Sequence, residues 1–258
     1  MTISVIIPTY NRNDDLKECL KSIRENSRYE NEIIVLHPFC DEDIMQICNE
    51  YSAKLVPDGS RENGKRVKSL WAIINSGIEI AENQYVCWLN DDCVVLKDWD
   101  YNALKYFEKD KDVALVVLKT KGIGNFCEFK VLNVSFGVPC ANYGVLDKNI
   151  GIIFDENFSW FHGDADISLQ TVVDYKKKVV GTDEKCVIHN HKLDENRKIN
   201  ESDERANKDN KIYRNKWNKY KLVNGEIKKK NIFQRVFPFV KNVARQFIRK
   251  KFFRRRDV

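Results

Sequence analysis

The sequence lacks the features that define several common protein classes. No stretch approaches the roughly 18 consecutive apolar residues that a membrane-spanning helix needs. The apolar run near the start, Ile3–Ile7, has no basic region before it and ends at Pro8, so we expect neither a signal peptide nor a membrane anchor there. Only 5 prolines and 11 glycines occur among 258 residues, and 43% of the residues are hydrophobic. This composition excludes collagen-like and low-complexity chains and provides for a sizeable core.

Two common nucleotide-binding motifs are also missing. No G-x-G-x-x-G follows the first apolar run, which argues against a dinucleotide-dependent dehydrogenase. No G-x-x-x-x-G-K-[ST] occurs, which argues against a P-loop nucleotidase. The eight cysteines form no C-x-x-C pair, and several lie within apolar runs. We therefore predict buried free thiols in a reducing compartment, and hence an intracellular protein.

The net charge of +6 is unevenly distributed along the chain. Residues 227–258 contain twelve Lys and Arg residues and one acidic residue, whereas the remainder contains 32 basic and 37 acidic residues. The body of the protein is therefore mildly acidic, and its C-terminal tail is strongly basic. An anionic partner is expected at the tail and not at the folded body.

Short apolar segments alternate with amphipathic ones through the first hundred residues. The apolar segments predict four strands, at Ile3–Ile7, Ile33–Leu36, Lys54–Val56 and Tyr85–Leu89. The amphipathic segments predict helices after an N-cap at Asn11 or Asn13, near Asp41–Tyr51, over Val67–Asn75 and Ala165–Lys177, and in part of 192–230. This alternation indicates an α/β fold with a mostly parallel sheet.

Polar residues follow the predicted strands, where ligands bind in open parallel sheets. Asn90, Asp91 and Asp92 come directly after the fourth strand. Carboxylates in this position can hold a divalent cation that in turn takes phosphate oxygens. Taken alone, the motif is better explained by an Asp-rich surface turn.

Two later motifs also carry candidate chemistry. Asp164 and Asp166 lie where a helix is predicted to begin, although N-capping alone would favour Asp there. His189 and His191 end a strand-like run, where two imidazoles could ligate a metal. Each motif by itself is weak, and their order along the chain is more informative.

In this order the motifs resemble those of the family-2 glycosyltransferases of the GT-A fold, with the rhamnosyltransferase-like branch the most similar. The matching segments are ISVIIPTYNR, NSGIEIAENQYVCWLNDD, FDENF, GDADISL and VIH, and they cover about residues 2–191. The resemblance implies one GT-A domain with helices flanking the sheet, a nucleotide-sugar-binding half at 1–97 and an acceptor-binding half at 98–225. It also implies an inverting, metal-dependent enzyme that transfers a sugar from a nucleotide-sugar to a glycan or lipid-linked glycan acceptor.

The resemblance further implies roles for particular residues. Asp92 and His189 match the residues that hold a Mn²⁺ or Mg²⁺ on the donor diphosphate. Asp164 matches the catalytic base, and Asp166 its neighbouring support. The residues that match nucleotide-sugar contacts are Pro8, Thr9, Tyr10, Arg12, Lys68, Asn75, Asn90 and Asp91.

Three sites depart from the family pattern. His37 and Pro38 stand where many members carry an acid that contacts the nucleotide base, so the donor stays open between UDP-, GDP- and dTDP-sugars. Gly163 stands where a carboxylate usually precedes the base, and Gln170 where an Arg is common. These departures keep a second hypothesis open, namely a catalytically degenerate fold that acts as an adaptor between a membrane and a partner.

The tail, residues 226–258, is predicted to form a basic amphipathic helix. Apolar residues recur at helical spacing between Phe233 and Phe253, and Lys and Arg fill much of the remainder. Such a helix is typical of an anionic membrane surface, which it would contact through 233–256; docking on the enzyme body or on a partner is the alternative. We expect no nucleic-acid partner, because no recognised nucleic-acid fold accompanies the basic end. The predicted location is cytoplasmic, peripheral on the cytoplasmic face of a membrane.

Overall fold

The computed structural model describes residues 1–63, 65–121, 128–131, 134–190, 202–223 and 226–230. Six α-helices lie within these residues: α1 (Asn13–Asn26), α2 (Glu42–Glu50), α3 (Leu70–Ile80), α4 (Trp99–Lys109), α5 (Gly163–Val173) and α6 (Asp203–Trp217). The strands of the described residues are β1 (Ile3–Pro8), β2 (Glu32–His37), β3 (Lys54–Pro57), β4 (Arg61–Glu62), β5 (Lys65–Arg66), β6 (Tyr85–Trp88), β7 (Cys93–Val95), β8 (Val113–Lys121), β9 (Glu128–Val131), β10 (Val134–Pro139), β11 (Gly144–Asp147), β12 (Lys178–His189), β13 (Tyr220–Val223) and β14 (Glu226–Lys229).

Eight of these strands form one central sheet in the order β3-β2-β1-β6-β11-β8-β12-β7. Four neighbouring pairs are parallel, and the three pairs that involve β11 or β7 are antiparallel. The predicted α/β fold with a mostly parallel sheet is therefore confirmed. The predicted division at residue 97 does not interrupt the sheet, because strands from both sides of it contribute to the same hydrogen-bonded order.

Helices cover both faces of the sheet. Apolar residues of α1, α2 and α4 pack against one face, and those of α3, α5 and α6 pack against the other. The first strand shows how the sequence specifies this arrangement: Val5 and Ile7 belong to one core, and Ile6, which lies between them, belongs to the other. Both faces are buried, so the strand is apolar apart from Ser4 instead of alternating with polar residues.

The predicted N-cap of the first helix is wrong. The capping residue of α1 is Arg12, whose side chain makes no capping hydrogen bond, and Asn11 has a left-handed backbone with φ of 56°. Asn13 is the first helical residue. Side-chain capping is replaced here by an Arg12 side chain that turns toward Asp91 and Asp92.

Two other predicted helices are shifted. The helix expected over Val67–Asn75 runs over Leu70–Ile80, because the Ser69 hydroxyl accepts from Ala72 N at 3.1 Å and caps it there. The helix expected over Ala165–Lys177 begins two residues earlier and ends at Val173. Part of 192–230 is helical as expected, and the remainder includes a hairpin of β13 and β14.

The cysteines of the described residues form no disulfide, as expected. Six are buried and Cys40 is partly exposed, while Cys127 lies outside the described residues. The β13–β14 hairpin crosses the boundary predicted at 225/226, because Val223 pairs with Glu226. The remainder of the predicted tail helix lies outside the described residues.

None of the helices in the described residues combines the length and the apolar composition that crossing a bilayer requires.

Candidate active site

One cleft of about 360 Å³ lies at the carboxyl ends of β1 and β6, beside the start of α5 and the end of β12. The fold thus brings the strand-end motif, the candidate base and the histidine to one place. The predicted site residues that line the cleft are Pro8, Thr9, Tyr10, Arg12, Asn90, Asp91, Asp92, Asp164 and His189. Lys68, Asn75 and Asp166 do not line it.

Asp91 is held by two residues that follow β1. Thr9 Oγ1 donates to Asp91 Oδ2 at 2.8 Å, and Arg12 Nη1 donates to Asp91 Oδ1 at 3.2 Å. Burial raises the pKa of Asp91 to about 6, while the Arg12 guanidinium and the Thr9 hydroxyl act in the opposite direction. Asp91 therefore ties the end of β1 to the turn that follows β6.

Asp92 is placed next to His189 by the pairing of two strands. In the antiparallel register of β7 and β12, His189 lies opposite Cys93. His189 Nε2 is 3.1 Å from Asp92 Oδ1, and Arg12 Nη1 is 3.2 Å from Asp92 Oδ2. Oδ1 is nevertheless buried without a hydrogen-bond partner among the described residues. A buried carboxylate oxygen in this state is costly unless a cation or a ligand takes it up.

Asp92 and His189 fit a divalent cation. Mn²⁺ accepts both carboxylate oxygen and imidazole nitrogen, and Mg²⁺ favours the carboxylate. His189 Nε2 and Asp92 Oδ1 are 3.1 Å apart, so one cation could contact both atoms. Three or more His, Cys, Asp or Glu side chains suited to a metal do not cluster anywhere in the described chain.

Asp164 lies in the first turn of α5 and faces the cleft. Its Oδ1 accepts from Ala165 N at 2.9 Å, and its Oδ2 accepts from the Cys140 thiol at 3.1 Å. The start of a helix favours a negative charge, because unpaired N–H groups and the helix dipole point toward it. Asp164 is thus an oriented carboxylate at the wall of a cleft, which suits a general base.

Gly163 precedes Asp164 because there is no room for a side chain. A Cβ at this position would lie 2.2 Å from Cε2 of Trp71. Trp71 is itself fixed, since its ring stacks on Phe154 with 4.8 Å between centroids. The Trp71 indole therefore fills the space beside the candidate base, where the family pattern usually has a carboxylate.

Asp166 is fully buried and makes three polar contacts away from the cleft. Lys216 Nζ lies 2.8 Å from Asp166 Oδ2, Trp217 Nε1 donates to Oδ1 at 2.7 Å, and Gln170 Nε2 donates to Oδ2 at 2.7 Å. Burial raises the pKa of Asp166, and Lys216 opposes that shift. The side chain holds α5 against α6, a geometry suited to the predicted support of Asp164. A catalytic role for Asp166 stays a prediction.

Lys68 and Asn75 contact loops that border the cleft. Lys68 Nζ donates to the carbonyl of Asp58, a residue that lines the cleft. The Asn75 side chain donates to Phe154 O at 2.9 Å and accepts from Phe154 N at 3.0 Å. Their predicted contacts to the nucleotide-sugar stay predictions.

His37 occupies the position where an acid is common. Its Nδ1 accepts from Cys40 N at 3.1 Å, so the proton of the neutral ring is on Nε2. Burial lowers the pKa of His37, which keeps the ring neutral. The ring stacks near Tyr10 with 6.4 Å between centroids. A neutral imidazole thus stands beside the aromatic residue of the predicted nucleotide pocket.

Two further residues of the cleft, Arg61 and Arg66, were not predicted from the sequence. Arg61 lies over the Tyr10 ring at 3.5 Å from its centroid, and Arg66 lies 5.2 Å from the Trp160 centroid. Burial, together with the nearby positive charges of Arg205 and Arg61, lowers the pKa of Arg66 to about 10. Arg61 and Arg66 both lie on the short β4–β5 hairpin. An Asn-Gly pair at 63–64, a common hairpin turn, was the available signal in the sequence.

The sequence model described as "Glycosyl transferase family 2" matches residues 4–168, which include the strand-end motif and Asp164. The chain belongs to glycosyltransferase family 2. This family 2 glycosyltransferase has no match among curated protein sequences. The predicted rhamnosyltransferase-like branch stays a prediction.

Solved structures share its fold. TarS of S. aureus, residues 1–349 with UDP, has a TM-score of 0.58 at 15% identity over 89% of this chain and 96% of that one. The mannosyltransferase PcManGT from Pyrobaculum calidifontis, in complex with GDP-Man and Mn²⁺, has a TM-score of 0.57 at 17% identity. The match covers 75% of this chain and 58% of that one. In the longer TarS structure, with a TM-score of 0.57 at 18% identity, this chain covers 41% of that chain. At such identities the likeness establishes the GT-A fold.

Proposed function

We propose that this glycosyltransferase inverts the anomeric centre and depends on a divalent metal, with a nucleotide-sugar as donor. The observation that carries the proposal is the placement of two carboxylates in one cleft by different elements. Asp92 follows β6 and has a buried, unbonded oxygen beside His189. Asp164 begins α5 and is oriented by hydrogen bonds. Asp92 is suited to hold a metal at the leaving diphosphate, and Asp164 is suited to take the proton of the acceptor hydroxyl.

Donor binding is assigned to the strand-end side of the cleft. Tyr10 offers an aromatic face for the base, and Thr9 and Arg12 fix the Asp91–Asp92 turn. Asp92 and His189 would hold the Mn²⁺ or Mg²⁺, which when bound supplies positive charge to the leaving diphosphate. TarS structures contain UDP or UDP-GlcNAc, and PcManGT contains GDP-Man. The donor here is accordingly drawn from UDP-, GDP- or dTDP-sugars.

Transfer is assigned to the side of the cleft formed by α5. Asp164 takes the proton of the acceptor hydroxyl while the acceptor oxygen forms a bond to the anomeric carbon. The bond between that carbon and the diphosphate oxygen breaks, and the diphosphate leaves with its electron pair. Attack on the face opposite the leaving group inverts the anomeric centre. Only one catalytic carboxylate is needed, so Asp166 serves as support.

The donor and the metal are tested together by thermal shift. UDP, GDP, dTDP and CMP are each added with and without Mn²⁺, and we expect one nucleotide to raise the melting temperature only with the metal. Release of nucleoside diphosphate from the matching nucleotide-sugar then establishes turnover. Metal-independent binding without turnover would favour the adaptor hypothesis.

The acceptor is proposed to be a glycan or lipid-linked glycan at the cytoplasmic face of a membrane. The support is the basic tail, whose charges continue from the exposed Lys228 and Lys229 of β14. Each basic residue near an anionic surface contributes about 1 kcal/mol, a contribution that salt weakens.

Liposome co-sedimentation of the full chain and of a chain ending at Lys230 tests this membrane contact, since the shorter chain keeps the β13–β14 hairpin intact. The full chain should pellet with anionic vesicles and partly release in high salt, whereas the shorter chain should stay in solution. Equal pelleting of both would contradict the membrane role of the tail.

A further inference from the structure

Helix α6 lies beyond the residues matched by the family model, yet it contacts the segment that carries the candidate base. Its Asp209 is fully buried. Asp209 Oδ1 accepts from Ser159 N at 2.9 Å, and Oδ2 accepts from Trp160 N and Phe161 N, each at 2.9 Å. One carboxylate therefore satisfies three consecutive backbone N–H groups. Bonds from N–H groups to a charged acceptor are stronger than neutral ones, and buried N–H groups without a partner are costly.

The same helix holds the residue at which α5 starts. His162 precedes α5 with a left-handed backbone, φ 67°. His162 Nε2 lies 2.9 Å from Asn210 Oδ1, and the His162 ring stacks on Tyr213 with 4.7 Å between centroids. His162 also lines the cleft, as do Trp160 and Phe161. The path of the chain into α5 is thus determined largely by side chains of α6.

Helix α6 also contacts α5 at Asp166, two residues after Asp164. Lys216 and Trp217 both contact the Asp166 carboxylate, at 2.8 and 2.7 Å. Asp164 lies between His162 and Asp166, so contacts from α6 fix the backbone on both sides of it. An error of about 1 Å in the position of a catalytic group costs roughly 100-fold in rate.

We propose that Asp209 is a positioning residue for transfer, which acts by holding segment 159–162 and through it Asp164. The inference rests on the proposed function, because it assumes that Asp164 is the base. Asp209 itself does not line the cleft. Its contribution is to the geometry of the acceptor side, because the N–H groups that it binds belong to none of the residues assigned to donor binding.

A second buried carboxylate provides the matched control. Asp100 in α4 is also fully buried, and it accepts from Arg28 N at 3.0 Å, Tyr29 N at 3.0 Å and Tyr101 N at 2.8 Å. None of these residues lines the cleft. Asp100 therefore accepts hydrogen bonds from three backbone N–H groups, as Asp209 does, but none of its backbone partners lines the cleft.

The experiment compares Asp209→Asn with Asp100→Asn in the full chain. Each change keeps the volume of the side chain and replaces one acceptor oxygen by an NH₂ group. We expect both to lower the melting temperature and neither to change nucleotide affinity with Mn²⁺. At saturating donor, and at a temperature where both are folded, kcat should fall about 10- to 100-fold in Asp209→Asn only. Release of nucleoside diphosphate from the donor found by the nucleotide screen is the readout.

Equal kcat in the two variants, with an active wild type, would overturn the positioning role and leave the proposed function standing. A wild type without turnover on any nucleotide-sugar would overturn both. If Asp209→Asn does not fold, Asn210→Ala takes its place, because it removes the contact to His162 from a half-buried position. A kcat in Asn210→Ala equal to that of the wild type would then contradict the proposal, and a drop of several-fold at unchanged nucleotide affinity would support it.

Discussion

The two sides of the cleft are built in different ways. On the strand-end side, Asp91, Asp92 and His189 are placed by the register of adjacent strands and by residues that directly follow β1. On the side formed by α5, Asp164 is placed by a loop and a helix start that depend on α6, about 45 residues further along the chain. A sheet specifies the first side, whereas contacts between distant segments specify the second. We therefore expect substitutions on the strand-end side to impair donor binding, and substitutions on the α5 side to impair transfer without changing donor binding.

The largest separation is expected from Asp164→Asn. The variant keeps the shape and the contact to Ala165 N but cannot take a proton. Transfer should fall roughly 10²- to 10⁴-fold while nucleotide affinity stays unchanged. Enzyme assays and calorimetric titration measure the two quantities. Asp174→Asn, an exposed position after the end of α5, is the control and should leave both unchanged. Transfer above half the wild-type rate in Asp164→Asn would mean that another residue is the base.

Asp92→Ala should damage the opposite side. It removes the oxygen next to His189, and even residues that only support a metal ligand cost about 10- to 100-fold in metal affinity. Nucleotide affinity with Mn²⁺ should therefore fall by about 100-fold, to the value that the wild type shows in excess chelator. Circular dichroism should show an unchanged fold. Mn²⁺-enhanced binding that survives in the variant would remove Asp92 from the metal site.

The support of α5 is examined by Lys216→Met. It leaves the buried Asp166 without its cation, and Lys216 lies only 2.8 Å from both Asp155 and Asp166. Because Lys216 is partly exposed, we expect a loss of about 2 kcal/mol in the free energy of unfolding, below the value for a fully buried pair. Lys178→Met breaks an exposed pair with Asp110 at 2.7 Å and should cost less than Lys216→Met, because solvent screens an exposed ion pair. Equal losses in urea unfolding would show that Asp166 does not depend on Lys216.

The smallest effect is expected from Cys140→Ala. The thiol donates to Asp164 Oδ2, and a hydrogen bond of this kind contributes about 1 kcal/mol, or a 2- to 10-fold change in rate. Transfer should fall by that factor, and Cys140→Ser, which keeps a donor, should recover most of it. If both variants have wild-type rates, the thiol does not orient the base.

The strand-end side could be predicted from the sequence, and most of the other side could not. A short apolar strand followed by Asn90, Asp91 and Asp92 specifies where those side chains lie, because parallel strands end at one edge. The role of Asp209 has no local signal: in the sequence it is one of many charged residues in a polar helix. Its contacts to 159–161 depend on how α6 packs, which no spacing of residues reveals.

Local conflicts account for the smaller errors. Asn11 and Asn13 are good capping residues, but Arg12 occupies the capping position because its side chain pairs with Asp91 and Asp92. Gly163 stands where the family pattern usually has a carboxylate, and the structure shows that Trp71 leaves no room for a side chain there. Both departures occur beside the cleft, where side chains serve binding as well as folding.

Anomalous scattering from a crystal grown with Mn²⁺ and the nucleotide found by the thermal shift screen tests most directly whether the strand-end side holds a divalent cation. We predict one strong manganese peak within bonding distance of both Asp92 Oδ1 and His189 Nε2. A nucleotide bound in the cleft with no manganese peak beside Asp92 would contradict the account.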